Sequence, residues 1–144
     1  MENSTNKPNL GFWIIGVVAL IWNLLGVDGF IGQALMSDRF KSMYTDEQLD
    51  IISRLPSWYL IVFGIAVIAS ALACVMMLIK KKMAVQLFQL GLLAVIVQVT
   101  FNLFVNEGKS AYGPFEYLML IAIPVISVLL LLYSKSALKK GWLS

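Results

Sequence analysis

Gln98, Asn102 and Asn106 recur every four residues inside an apolar stretch, so they line one face of a helix, and Gly91 falls on that same face. Amides in such a place can hold helices together, or they can bind the hydroxyls and amides of a polar solute. Asn23 and Gln33, in the first apolar stretch, add two more amides about 80° apart on a helical wheel. Trp22 and Trp58 supply ring faces on which a sugar-like solute can stack, and Glu116 adds a carboxylate at the start of the last stretch, near its outer end. Trp22, Asn23, Gln33, Trp58, Gln98, Asn102, Asn106 and Glu116 are therefore the candidate substrate-binding residues. Asp28 and Glu107 are candidate proton-coupling acids if desolvation raises their pKa. Asp28 stands about 140° from Asn23 on the wheel, and both acids lie where a carboxylate can instead reach out to water.

The missing residue types exclude other chemistry. The chain has no histidine, so it lacks histidine-based acid–base catalysis and the usual ligands of haem and most zinc sites. Its single cysteine, Cys74, sits within an apolar stretch and has no cysteine partner in the chain. No Gly-rich phosphate loop and no converging acid pair appears, so the chain reads as a non-enzyme with no metal and no cofactor. The net charge of +3 comes without a basic patch outside the apolar stretches, which argues against nucleic acid as a partner.

What must position these residues is a membrane bundle. Of 144 residues, 60% are hydrophobic and 13% charged, about half the charge of a soluble domain, and the mean hydropathy is +0.84. Four apolar spans, about 10–31, 58–79, 83–105 and 115–133, each approach the ~20 residues needed to cross ~30 Å of hydrocarbon. The alternation of a transmembrane barrel is absent. The first span reads as a retained helix, because its flank lacks the positive charge of a signal peptide and no cleavage site follows. The reading is a single all-α integral membrane domain over residues 1–144, with the bilayer as its first partner.

The chain also repeats itself. Residues 22–29, from Trp22 to Gly29, return as residues 101–108, from Phe101 to Gly108, an offset of 101 − 22 = 79. Residues 56–60, from Pro56 to Leu60, return as residues 114–118, from Pro114 to Leu118, an offset of 114 − 56 = 58. This predicts a duplicated helical hairpin with a pseudo-two-fold axis along the membrane normal. The first repeat covers about 10–82 and the second about 83–140; repeat partners Asn23 and Asn102 should face each other across the axis. The first repeat carries an insertion over about 32–55. Within it, Thr45 and Gln48 have the spacing of a capping box, and Leu49, Ile52 and Leu55 follow at helical spacing, predicting a short amphipathic helix.

Charge sets the expected orientation. Lys7, Lys80, Lys81, Lys82, Lys135, Lys139 and Lys140 fall on one side, and Arg39, Lys41, Arg54 and Lys109 on the other. The bias places both termini and the three-lysine turn in the cytoplasm. Trp58, Tyr59, Tyr112 and Tyr117 then form an outer aromatic belt, with Phe12, Trp13 and Trp142 near the inner one. Most buried amides fall in the outer half, which describes a polar, outward-facing vestibule over an apolar inner plug. Pro124 should kink the last span or free a carbonyl there.

Residues 21–27, from Ile21 to Val27, then Gln33, Met36, residues 55–58, from Leu55 to Trp58, the 80–82 lysine turn, Gln98 and residues 140–144, from Lys140 to Ser144, resemble a family of small bacterial four-helix membrane proteins. Proteins of that family go loosely under the name sugar transporter, and their function is uncharacterised. The resemblance covers almost the whole chain. It implies the four-helix topology and draws attention to Trp22, Asn23, Gln33, Trp58 and Gln98.

Two functions stay open. One is an inner-membrane transporter or binder of a small polar solute; four helices hardly enclose an alternating-access path, so transport implies a homodimer. The small multidrug exporters, also of four helices, depend on an acid deep in the first span, where this chain has uncharged residues 17–21. The other is an accessory or structural membrane protein whose polar residues serve packing and contact with a partner or lipid.

Overall fold

A computed structural model of the chain describes residues 7–104 and 114–144, apart from the side chains of residues 115 and 116. Six helices follow one another: α1 Leu10–Leu35, α2 Asp38–Ser42, α3 Asp46–Ser53, α4 Ser57–Leu78, α5 Met83–Phe104 and α6 Pro114–Lys139. The four long ones are apolar enough to cross a membrane, which makes the chain a multi-pass membrane helical bundle. No strand occurs among the described residues.

Local chemistry sets the helix ends. Asn9 caps α1, its side chain accepting from Phe12 N at 3.0 Å. Met36 ends α1 in the left-handed region (φ 48°), and Ser37 N donates back to Gly32 O at 3.2 Å, a Schellman-type closure. The same closure ends α4, with Lys80 at φ 63° and Lys81 N on Met76 O at 2.8 Å. It ends α6 as well: Gly141, at φ 84°, takes the left-handed position and Trp142 N reaches Ala137 O at 2.9 Å.

The insertion holds two helices. The expected one is α3, and its capping box is complete: Gln48 N donates to Thr45 Oγ1 at 3.1 Å and Thr45 N to Gln48 Oε1 at 3.0 Å. The additional one is α2, started by Ser37 and anchored by Phe40, which is buried against Gly32 and stacks on Tyr44 with centroids 4.9 Å apart. A Cβ on Gly32 would stand 3.1 Å from Phe40 Cβ, so glycine makes room for this anchor.

Around the bundle the order is α1, α4, α5, α6, each helix packed on the next. Among the described residues α1 and α6 share no comparable interface. They meet through Phe12, whose ring lies 6.4 Å from Tyr133 and 5.6 Å from Trp142. Small residues set the closeness of the pairs. Gly64 of α4 receives the Phe30 ring of α1, which an added Cβ would meet at 2.8 Å, and Gly91 of α5 lies where a Cβ would collide with Ser70 Oγ of α4.

The main core sits at the end that carries the lysine turn. Phe12, Ala73, Cys74, Met77, Ala84 and Phe88 are at most 2% exposed, with Leu130, Ala137, Trp142 and Leu143 packed beside them. Residues 142–144 fold back to seal it, since Ser144 N donates to Lys80 O at 3.0 Å and Lys82 N to Ser144 O at 3.1 Å. A smaller core of Ala66, Ala94 and Val95 continues between α4 and α5 toward the insertion end. The buried residues of α6 among those described are Leu130, Ser134 and Ala137, all in its half nearer the lysine turn. The start of α1, the lysine turn and residues 140–144 therefore share one end of the bundle, with α2 and α3 at the other.

Candidate functional site

The polar residues divide into separate groups. Asn23, 9% exposed, lies on the α1 face that packs on α4. Its Nδ2 donates to Ala19 O at 2.9 Å and to Cys74 Sγ at 3.4 Å. Asn102 lies on the α5 face that packs on α4, and its Nδ2 donates to the Tyr59 hydroxyl at 3.0 Å. Gln98, one turn below and half-buried, also interacts with the Tyr59 hydroxyl. Gln98 and Asn102, the described members of the stripe, therefore share a face with Gly91, and that face is turned to α4.

Asn23 and Asn102 do not face each other, contrary to the expectation from the repeat. Helix α4 stands between α1 and α5, and the two amides take partners on it that are 74 − 59 = 15 residues apart. At 1.5 Å per residue this is ~22 Å along the helix. A single vestibule that collects both amides is not what this packing builds.

Aromatic rings surround the Tyr59–Asn102 pair. Phe101, buried, packs edge-to-face on Trp58 (5.2 Å, 88°) and lies 5.1 Å from Tyr59. Trp58 itself is 45% exposed. Tyr59, expected in an aromatic belt at the headgroups, is instead buried at 8% exposure, because Asn102 gives its hydroxyl a partner inside the bundle. Phe12 and Trp142 likewise leave the expected inner belt for the core, while Trp13 stays exposed.

The other candidates fall elsewhere. Trp22 and Gln33 are half-buried on α1, and the Gln33 carbonyl accepts from Met36 N at 3.3 Å. Asp28 is exposed and paired with Arg39 of α2. As a hydrogen-bond acceptor first and a neighbouring charge second, Asp28 holds the Arg39 guanidinium above its ordinary pKa. Asn106 and Glu107 lie outside the described residues, as does the Glu116 side chain at the start of α6.

Among the described residues no three His, Cys, Asp or Glu side chains come together as metal ligands, and no buried side-chain nitrogen or oxygen is left without a partner. Cys74 is fully buried, so its thiol is shielded from solutes. What the arrangement offers chemically is one exposed indole beside a phenol and two amides, at the insertion end of α4 and α5. Sequence reading missed Tyr59 and Phe101 as members of this cluster; the Tyr59–Asn102 partnership needs the register of α4 on α5. The chain matches no family model, no curated protein and no solved structure.

Proposed function

We propose that the chain is a multi-pass protein of the bacterial inner membrane that binds, and as a homodimer transports, a small polar, sugar-like solute from the outer side. Its lysine end lies in the cytoplasm, following the excess of basic residues there. The two hairpins are copies of one ancestral unit, related by a pseudo-two-fold along the membrane normal, as the repeated segments suggest. The observation that carries the solute reading is Trp58, whose exposed indole is braced at a fixed angle by Phe101 beside Tyr59, Gln98 and Asn102. A ring face for stacking next to amides for hydroxyls is the chemistry a sugar needs.

The test is thermal unfolding of the detergent-solubilised protein against sugars, polyols and amino acids, since a ligand of the folded state raises the midpoint. A solute that raises it in the native protein, but not in Trp58→Ala or Asn102→Leu with the fold intact, supports the site. A panel that leaves the midpoint unmoved overturns it. Orientation is tested with Lys81→Cys and Asp46→Cys in a Cys74→Ala background: an impermeant maleimide on intact cells should label the second and spare the first.

A second reading has its own observation. Asn23 and Asn102 each spend their amide across a helix interface, and no described buried side-chain nitrogen or oxygen lacks a partner. This favours an accessory or structural membrane protein in which the amides serve as packing glue. In that case Asn102→Leu lowers the midpoint alike with and without every solute.

A further inference from the structure

Helices α1, α4 and α5 leave an apolar groove of about 440 Å³, and its lining among the described residues comes from these three helices, with Phe30, Gly64, Ile68, Leu72, Leu87 and Leu90 among others. Phe30, whose ring sits over Gly64, lines it toward the insertion end, and Ile61 carries the lining about one turn further. Toward the other end its lining stops at Leu72 and Leu87, short of the α4–α5 turn. Leu72 is eight residues before Lys80 and Leu87 five after Lys82, which places the groove mouth ~12 Å and ~7.5 Å along the helices from three lysines.

Those lysines are presented by a fixed backbone. The turn is pinned from within by Lys81 N on Met76 O (2.8 Å) and from outside by the two backbone bonds to Ser144. Lys80, Lys81 and Lys82 are exposed, and Lys135, Lys139 and Lys140 stand at the same end. The described acids, Asp28, Asp38, Asp46, Glu47 and Asp50, all belong to the opposite end or the approach to it. No described carboxylate side chain competes for this charge.

We propose that the groove and the lysine turn together form a binding site for an anionic phospholipid of the leaflet at the lysine end. An acyl chain lies along α4 against Ile68 and Leu72, and the phosphate sits on the turn. Opposite charge selects the headgroup, and the apolar groove receives the chain. This inference stands apart from the solute site, which occupies the other end of α4.

Native mass spectrometry of the detergent-released protein, titrated with phosphatidylglycerol and with phosphatidylcholine of the same chains, tests it. Phosphatidylglycerol should bind more tightly, and Lys80→Gln/Lys81→Gln/Lys82→Gln should weaken it by about a hundredfold, toward the phosphatidylcholine value. These side chains are exposed, so the unfolding midpoint without lipid should stay in place and verify the fold. Leu90→Trp, which fills the groove, should weaken phosphatidylglycerol with the lysines intact. Glycerol 3-phosphate, a soluble phosphate without chains, should not compete. Equal binding of both lipids, a triple variant that binds as before, indifference to Leu90→Trp, or full competition by glycerol 3-phosphate would each overturn the proposal. So would disulfide-linked dimers from Leu90→Cys in a Cys74→Ala background, because a second copy would then cover the groove.

Discussion

Asn102 Nδ2 donates to the Tyr59 hydroxyl at 3.0 Å, joining α5 to α4 across 43 residues of sequence near the insertion end of both helices. The hydroxyl lies 3.4 Å from Asn102 Oδ1 in the return direction. A buried phenol would otherwise lose its water partners with nothing in exchange. Tyr59→Phe and Asn102→Leu should each lower the unfolding midpoint, and the double variant should lose less than their sum. A double-mutant cycle should give a coupling of about 0.6 kcal/mol, up to about 1.7. Strict additivity would mean that the bond contributes nothing.

Gly91 tests how closely α4 and α5 must approach. An added Cβ would run into Ser70 Oγ, with Ala66 O also within 3.4 Å. Gly91→Ala should destabilise by about 1–3 kcal/mol, and adding Ser70→Ala should restore most of it. A Gly91→Ala midpoint equal to wild type would show that the helices are further apart.

The start of α3 was readable without any structure, because a capping box is made of residues three apart. Four spanning helices were readable for a similar reason, since length and apolar content decide them. That Gly91, Gln98 and Asn102 share one side of α5 was readable from their spacing; that this side meets α4 was not. What lay beyond reach needed registers. Cys74 as the acceptor for Asn23 depends on how α1 slides on α4, and Tyr59 carries every mark of a headgroup-belt residue until Asn102 is placed beside it. Helix α2 was missed because its stability rests on Phe40 seated on Gly32, a contact that exists only after α1 has turned at Met36.

Cys74 should resist a membrane-permeant maleimide in the folded protein and react fully once denaturant unfolds it, since its side chain is wholly enclosed with Asn23 against the sulfur. Mass spectrometry of the intact chain reads the adduct. Rapid labelling under native conditions would contradict this burial.

Asp28 and Arg39 are both exposed, so their ion pair should do little for stability. Asp28→Asn should leave the unfolding midpoint in place at physiological salt. If a transported solute is found, loss of its uptake in Asp28→Asn with the fold unchanged would assign Asp28 a coupling role that its exposure argues against.

Lys80 holds a left-handed backbone at the end of α4 with an exposed side chain. Glycine adopts that conformation without the Cβ penalty, so Lys80→Gly should stabilise by about 0.5–1 kcal/mol, read as a raised unfolding midpoint. A lowered midpoint would show that the lysine side chain holds the turn.

The seal made by Trp142 and Leu143 ties the earliest part of the bundle to a late one. Phe12 is wholly enclosed, and part of its enclosure is Trp142, 130 residues further on. At roughly 5–20 residues per second of synthesis, Phe12 waits about 6–26 s for that ring to be made. Until then the Phe12 face of α1 lacks one of the rings that enclose it. Closure of the core at the lysine end therefore waits on residues 142 and 143, and a chain cut before residue 142 has its four spans and lacks the ring that encloses Phe12.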